Sequence, residues 1–140
     1  MKKSISPRER ERRKRKVRTI IAMLKKLFPR SRTALKYRNN WELLVAVILS
    51  AQCTDKMVNK VTEKLFKKYR TLDDYIKAKP RVFQKDIRST GFYRNKTKNI
   101  LAAAKVVKKD FDGTIPRTMK EMLTIPGVAR KPANVVLSSA

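Results

Sequence analysis

The stretch Ile125–Leu137 reads IPGVARKPANVVL. Its Pro126-Gly127 pair separates two runs of helix-forming residues, so the chain turns there and a helix follows. The pattern predicts two short helices joined by a hairpin over 118–137. Arg130 and Lys131 stand together where the second helix begins. That is the positive end of the backbone dipole, an unfavourable place for a structural cation. Pro132 comes next, lacks an N–H and biases its predecessor away from helical backbone. On that ground Pro132 is expected to be the first helical residue, with Lys131 as its cap.

Two roles fit the turn. It is either a packing element, with Ile125 and Val128 in the core, or an anion site. In the second case the turn formed by Ile125, Pro126, Gly127, Val128, Ala129 and Arg130 presents the N–H groups of its non-proline residues to a phosphate, next to the unpaired N–H groups of the helix start. Such contacts position a nucleic-acid backbone and do not read bases. Two roles also fit Lys131. It touches phosphate as one cation among many, or it is a nucleophile. Arg130 and the helix start both disfavour an ammonium, and a neutral amine can attack a carbon electrophile to give a Schiff base.

Almost all of the remaining chain reads as helix. Ser6, Pro7 and Glu9 look like a helix start, followed by the charge run RERRKRKVR. Residues 1–18 are read as a basic arm, either solvated or laid along phosphates, and 19–140 as the domain. Val17, Ile20, Ile21, Leu24 and Phe28 share one helical face, which Pro29 ends. Asn39 or Asn40 caps WELLVAVILSAQ, apolar nearly all round and so expected to be the buried central helix. Thr54 and Asp55 start another, with Val58, Val61, Leu65, Phe66 and Tyr69 inward. Short helices follow at 72–78 and 80–89, stopped by Gly91, and Phe92-Tyr93-Arg94 reads as a loop. The helix from 95 to 111 buries Ile100, Leu101, Ala104 and Val107, and Asp112-Gly113 turns the chain. The last helix has no capping glycine or basic final turn, so Ala140 reads as a truncation point.

The composition narrows the functions. The 140 residues carry 37 Lys and Arg against 11 Asp and Glu, a net charge of +26. A field of that sign favours a polyanion, nucleic acid first and an anionic membrane surface second. The sequence has no histidine and one cysteine, Cys53, which excludes His-based catalysis, disulfides and thiolate metal sites built from this chain alone. No signal peptide is visible, and LLVAVIL is too short to span a bilayer, so no membrane association and a cytoplasmic, nucleoid-associated location are expected.

Three stretches, ELLVAVILSAQCTDKMVNKVTEKLF, STGFYRNKTKNI and IPGVARKPANVVLSSA, resemble endonuclease III in order and approximate spacing. Endonuclease III belongs to the helix–hairpin–helix superfamily of DNA glycosylases and abasic-site lyases. The resemblance runs from about Ile20 to Ala140 and implies an all-α helix–hairpin–helix glycosylase domain, incomplete at its C-terminus. It implies removal of oxidised pyrimidines from duplex DNA by a monomer, with strand cleavage at abasic sites by β-elimination. The family's Schiff-base lysine falls on Lys131. Its gap-filling glutamine falls on Gln52, and its wedge in the base stack on Phe92, beside Tyr93 in the same loop. The hairpin residues 125–130 take the phosphate contacts. Two positions depart from the pattern: Ala129 replaces a glycine and Pro132 a threonine. The family's catalytic aspartate and its [4Fe-4S] cluster loop fall beyond Ala140, so no cofactor is expected in this chain and its own activity is expected to be weak. The rivals are a basic DNA-binding module without chemistry and a basic RNA-associated protein.

Overall fold

A computed structural model describes residues 6–27 and 34–139, with side chains for 6–20 and 34–139. The described residues form eight α-helices and one 3-10 helix: α1 (Pro7–Leu27), α2 (Asn40–Leu49), α3 (Asp55–Lys68), α4 (Leu72–Lys77), α5 (Pro80–Ile87), η1 (Arg88–Thr90), α6 (Tyr93–Phe111), α7 (Met119–Met122) and α8 (Arg130–Ser139). The chain divides into two units, Met1–Thr33 and Ala34–Ala140.

In the first unit, Ser6 Oγ accepts the Glu9 N–H at 3.2 Å, as its N-cap reading predicts, and α1 is continuous through the charge run. Val17 and Ile20 are exposed. The side chains of Ile21 and Leu24, and the expected end at Phe28 and Pro29, lie outside the described residues.

The second unit is built around α2. Asn39 caps it, its Oδ1 accepting the Glu42 N–H at 2.9 Å. Every residue from Trp41 to Leu49 is buried, as a helix with no polar stripe requires. Glu42 is the exception in chemistry. Its buried carboxylate accepts from the Arg38 backbone N–H and is paired with the Arg38 guanidinium at 2.8 Å, which also donates to Phe66 O at 3.2 Å. Asn59 ties down the entering chain further, accepting from Lys36 N at 2.9 Å and donating to Ala34 O at 2.9 Å.

Helices α3, α6 and α8 pack on α2. Thr54 caps α3, and Val58, Leu65, Phe66 and Tyr69 are buried on one face as their spacing predicts. A capping box of Thr71 and Asp74 starts α4, with Asp74 carboxylate oxygen accepting the Arg70 and Thr71 N–H groups. Tyr69, Tyr75, Phe83 and Trp41 form an aromatic cluster with ring centroids 5.2–6.0 Å apart. In α6, Ile100, Leu101, Ala104 and Val107 are buried. Asp112 and Gly113 end it with left-handed backbone, the Gly113 N–H returning to Val107 O at 3.0 Å.

Candidate nucleic-acid interface and active site

The hairpin forms between α7 and α8. Thr118 Oγ1 accepts the Glu121 N–H and starts α7. The turn closes through Ile125 N–H to Met122 O and Val128 N–H to Ile125 O, both 3.1 Å. Ile125 and Val128 are buried and their N–H groups close the turn, so they build the hairpin and do not offer the phosphate donors expected from the sequence. Pro126 is half-buried, while Gly127, Ala129, Arg130 and Lys131 are exposed. The left-handed backbone of the turn falls on Gly127, φ +80, and not on Ala129, whose methyl group is therefore unstrained.

Helix α8 begins two residues earlier than the proline suggests. It starts at Arg130, and its first i→i−4 bond runs from the Ala133 N–H to Ala129 O at 3.0 Å. The physical reason is that Pro132 lies in the first turn, where N–H groups have no intrahelical acceptor, so its missing donor costs nothing. Lys131 is thus helical, one residue inside the positive end of α8, and exposed to solvent.

Gln52 and Phe92 share an unusual feature. Both have left-handed backbone, φ 52 and φ 45, which non-glycine residues seldom adopt. Gln52 is exposed in the short connection between α2 and α3. Phe92 is 64% exposed, so it is not a core aromatic. The expected loop at 92–94 is shorter than its sequence suggests. Phe92 is the N-cap of α6, and Tyr93 and Arg94 are already helical, because the left-handed residues Gly91 and Phe92 complete the turn by themselves. Tyr93 is half-buried, with the Arg88 and Arg94 guanidiniums 6.0 and 5.8 Å from its ring centroid.

Several contacts fix these pieces on α2 and α6. Tyr37, just before α2, donates its hydroxyl to Ser139 O, at the end of α8, at 3.5 Å. That bond brings the end of α8 to the segment before α2, and the two helices pack on one another. The first turn of α6 is fixed to the last residue of α2. Lys96 Nζ donates to Leu49 O and to Thr90 O, each at 2.8 Å. The hairpin is registered on α6 as well: a Cβ on Gly127 would stand 2.6 Å from the Asn99 Cβ. Sequence reading missed Lys96, though a signal was present. It lies four residues before Ile100 and eight before Ala104, on the buried stripe of α6, where a cation is out of place. Burial holds its ammonium below the ordinary lysine pKa, and the nearby Cys53 sulfur acts in the opposite sense.

The family model for HhH-GPD superfamily base excision DNA repair proteins matches residues 45–136, a span that contains Gln52, Phe92 and Lys131. The chain belongs to this superfamily. It is 48% identical over 127 residues to the endonuclease III of Synechocystis sp., covering 91% of this chain and 58% of that protein. It is also 48% identical over 114 residues to the endonuclease III of Bacillus subtilis, covering 81% and 52%. Among solved structures, a trapped covalent endonuclease III–DNA intermediate superposes with a TM-score of 0.82 at 47% identity, over 91% of this chain and 60% of the other. The chain therefore spans less than two thirds of the length of these relatives. The all-α helix–hairpin–helix architecture expected from the sequence is the one observed.

A cleft of 680 Å³ lies between the 36–38 segment and α3, lined by Tyr37, Glu42, Asn59 and Phe66 among others, and includes neither Lys131 nor Gln52 nor Phe92. Among the described residues, no group of three or more His, Cys, Asp or Glu is placed to hold a metal ion. Cys53, half-buried, is the single cysteine of the sequence, and a four-thiolate iron–sulfur site cannot be assembled from it.

Proposed function

We propose that this chain carries the DNA-binding and nucleophilic part of a base-excision glycosylase and abasic-site lyase for damaged pyrimidines in duplex DNA. The observation that carries this reading is the tie of α6 to its neighbours: its buried Lys96 closes the chain ends that lead to Gln52 and Phe92, and its Asn99 abuts Gly127 of the hairpin that leads to Lys131. The superfamily membership and the covalent DNA complex of a relative support it.

In this reading the main chain of the other hairpin residues and the two free N–H groups at the start of α8 hold a phosphate. The damaged nucleotide leaves the stack, at a cost of a few kcal/mol. Phe92 and Gln52 enter the gap, the ring against a base face and the amide against the orphan base edge. The Lys131 amine attacks the sugar C1′, the N-glycosidic bond breaks and the base departs with the electron pair. The amine then loses a proton as the ring opens to a Schiff base. Loss of a C2′ proton expels the 3′ phosphate oxygen, cutting the strand.

Borohydride reduction of the Schiff base tests the reading. The chain is expected to become covalently attached to duplex DNA with an abasic site, and Lys131→Ala is expected to lower the yield by at least about 100-fold. The same variant should bind a duplex carrying a tetrahydrofuran abasic analogue within about threefold of wild type, since one phosphate-range cation is a minor part of the affinity. Equal adduct yield from Lys131→Ala would remove the lysine from the chemistry. Salt-sensitive binding with no adduct from either protein would establish a binding module.

A further inference from the structure

We propose that Lys96 is a positioning residue that sets the relative placement of Gln52 and Phe92, and so governs discrimination between a gapped and an intact base stack. The proposal rests on the reading of Gln52 and Phe92 given above.

Lys96 is the one buried cation among the described residues, 5% exposed in a chain whose other described cations lie at the surface or partly open to it. Its two acceptors are specific. Leu49 is the last residue of α2, and its carbonyl belongs to the final turn, which has no intrahelical donor. Thr90 is the last residue of η1. One ammonium therefore closes two helix ends, at sites where the backbone dipole favours positive charge. Gln52 follows Leu49 by three residues, and Phe92 follows Thr90 by two. The Lys96 backbone N–H also donates to Phe92 O at 3.0 Å.

Neither probing side chain is held by a side-chain hydrogen bond. The Phe92 ring carries no hydrogen-bonding group, and the Gln52 amide donates to and accepts from no described group. Their directions come from backbone alone, and in both the backbone is left-handed. Such strain persists only where the surroundings over-determine it. Lys96 is the atom-scale link common to both surroundings. Without it, two carbonyls lose their partner and the two loops are no longer fixed at a common spacing.

The test uses the full chain and a duplex with a tetrahydrofuran site opposite 2-aminopurine, whose fluorescence reports entry of side chains into the gap. Wild type is expected to prefer this duplex to an undamaged one and to change the fluorescence. Lys96→Met is expected to bind the undamaged duplex within about twofold of wild type, yet lose at least about tenfold of the preference, the loss of one well-placed contact. The fluorescence change should fall with it. In a Gln52→Ala/Phe92→Ala background, Lys96→Met should change neither affinity by more than about twofold, because residues acting through one another are not additive. Melting curves check the fold, and if Lys96→Met does not fold, Lys96→Gln, which keeps one donor, carries the same comparison. A variant that weakens both duplexes equally, or still weakens binding in the double-alanine background, is a structural cation only and overturns the proposal. Equal preference in wild type and Lys96→Met does the same. A wild type with no preference sinks the gap-filling reading and Lys96's role together.

Discussion

Phe92 stands in a backbone conformation that aromatic residues rarely adopt, and its ring faces solvent. Neither circumstance helps folding. Glycine would relieve the strain, so Phe92→Gly is expected to raise stability by about 1 kcal/mol, read from urea unfolding. The same variant is expected to bind abasic duplex less well, and a drop in stability would show that the ring packs usefully in the free protein. The two lysines of the site make a contrast in legibility. Lys131 stands out in the sequence because it sits in a short motif with a chemical reason for a lysine. The role of Lys96 is not legible there, because its acceptors are 47 and 6 residues away in sequence. A lysine on an apolar stripe flags an anomaly without naming what resolves it.

The hairpin connects its element to the rest through one close approach. Gly127 has a φ of +80, and an added Cβ would meet the Asn99 Cβ at 2.6 Å. Gly127→Ala is therefore expected to cost about 2–4 kcal/mol, from strain and overpacking together, measured by urea or thermal unfolding. Asn99→Ala keeps the offending Cβ and should not rescue it, whereas Asn99→Gly should restore part of the loss. At this scale the sequence was informative where local chemistry governs. The caps at Asn39, Thr54 and Thr118, the stop at Gly91 and the turn at Asp112-Gly113 follow from short-range rules. The starts of α6 and α8 did not follow. At Phe92 tertiary context imposes a conformation that local preference opposes, and at Pro132 the first helical turn tolerates the missing donor that was expected to delay it.

For the whole molecule, charge and core tell separate stories. Apolar residues from every α-helix of the second unit build the core, and of the described cations only Lys96 is buried with them, so the rest of the +26 net charge stays outside the core. It is expected to act on a partner. Binding to undamaged duplex should weaken about 10³-fold or more between 50 and 200 mM salt, as for proteins that neutralise six or more phosphates. A flat salt response in filter binding or anisotropy would show that the charge does not meet a polyanion. No helix among the described residues is long and apolar enough to cross a membrane.

The bonds that fasten residues 34–38 have an implication for where the chain can be shortened. Ala34 and Lys36 are clipped to Asn59, and Arg38 neutralises the sole acid of α2. A cut placed just ahead of Ala34 leaves every one of these ties in place. A cut only five residues later strands an anion in the interior, so the practical border of the helical unit is drawn by the pairing of Arg38 with Glu42 and not by where the first turn of α2 begins.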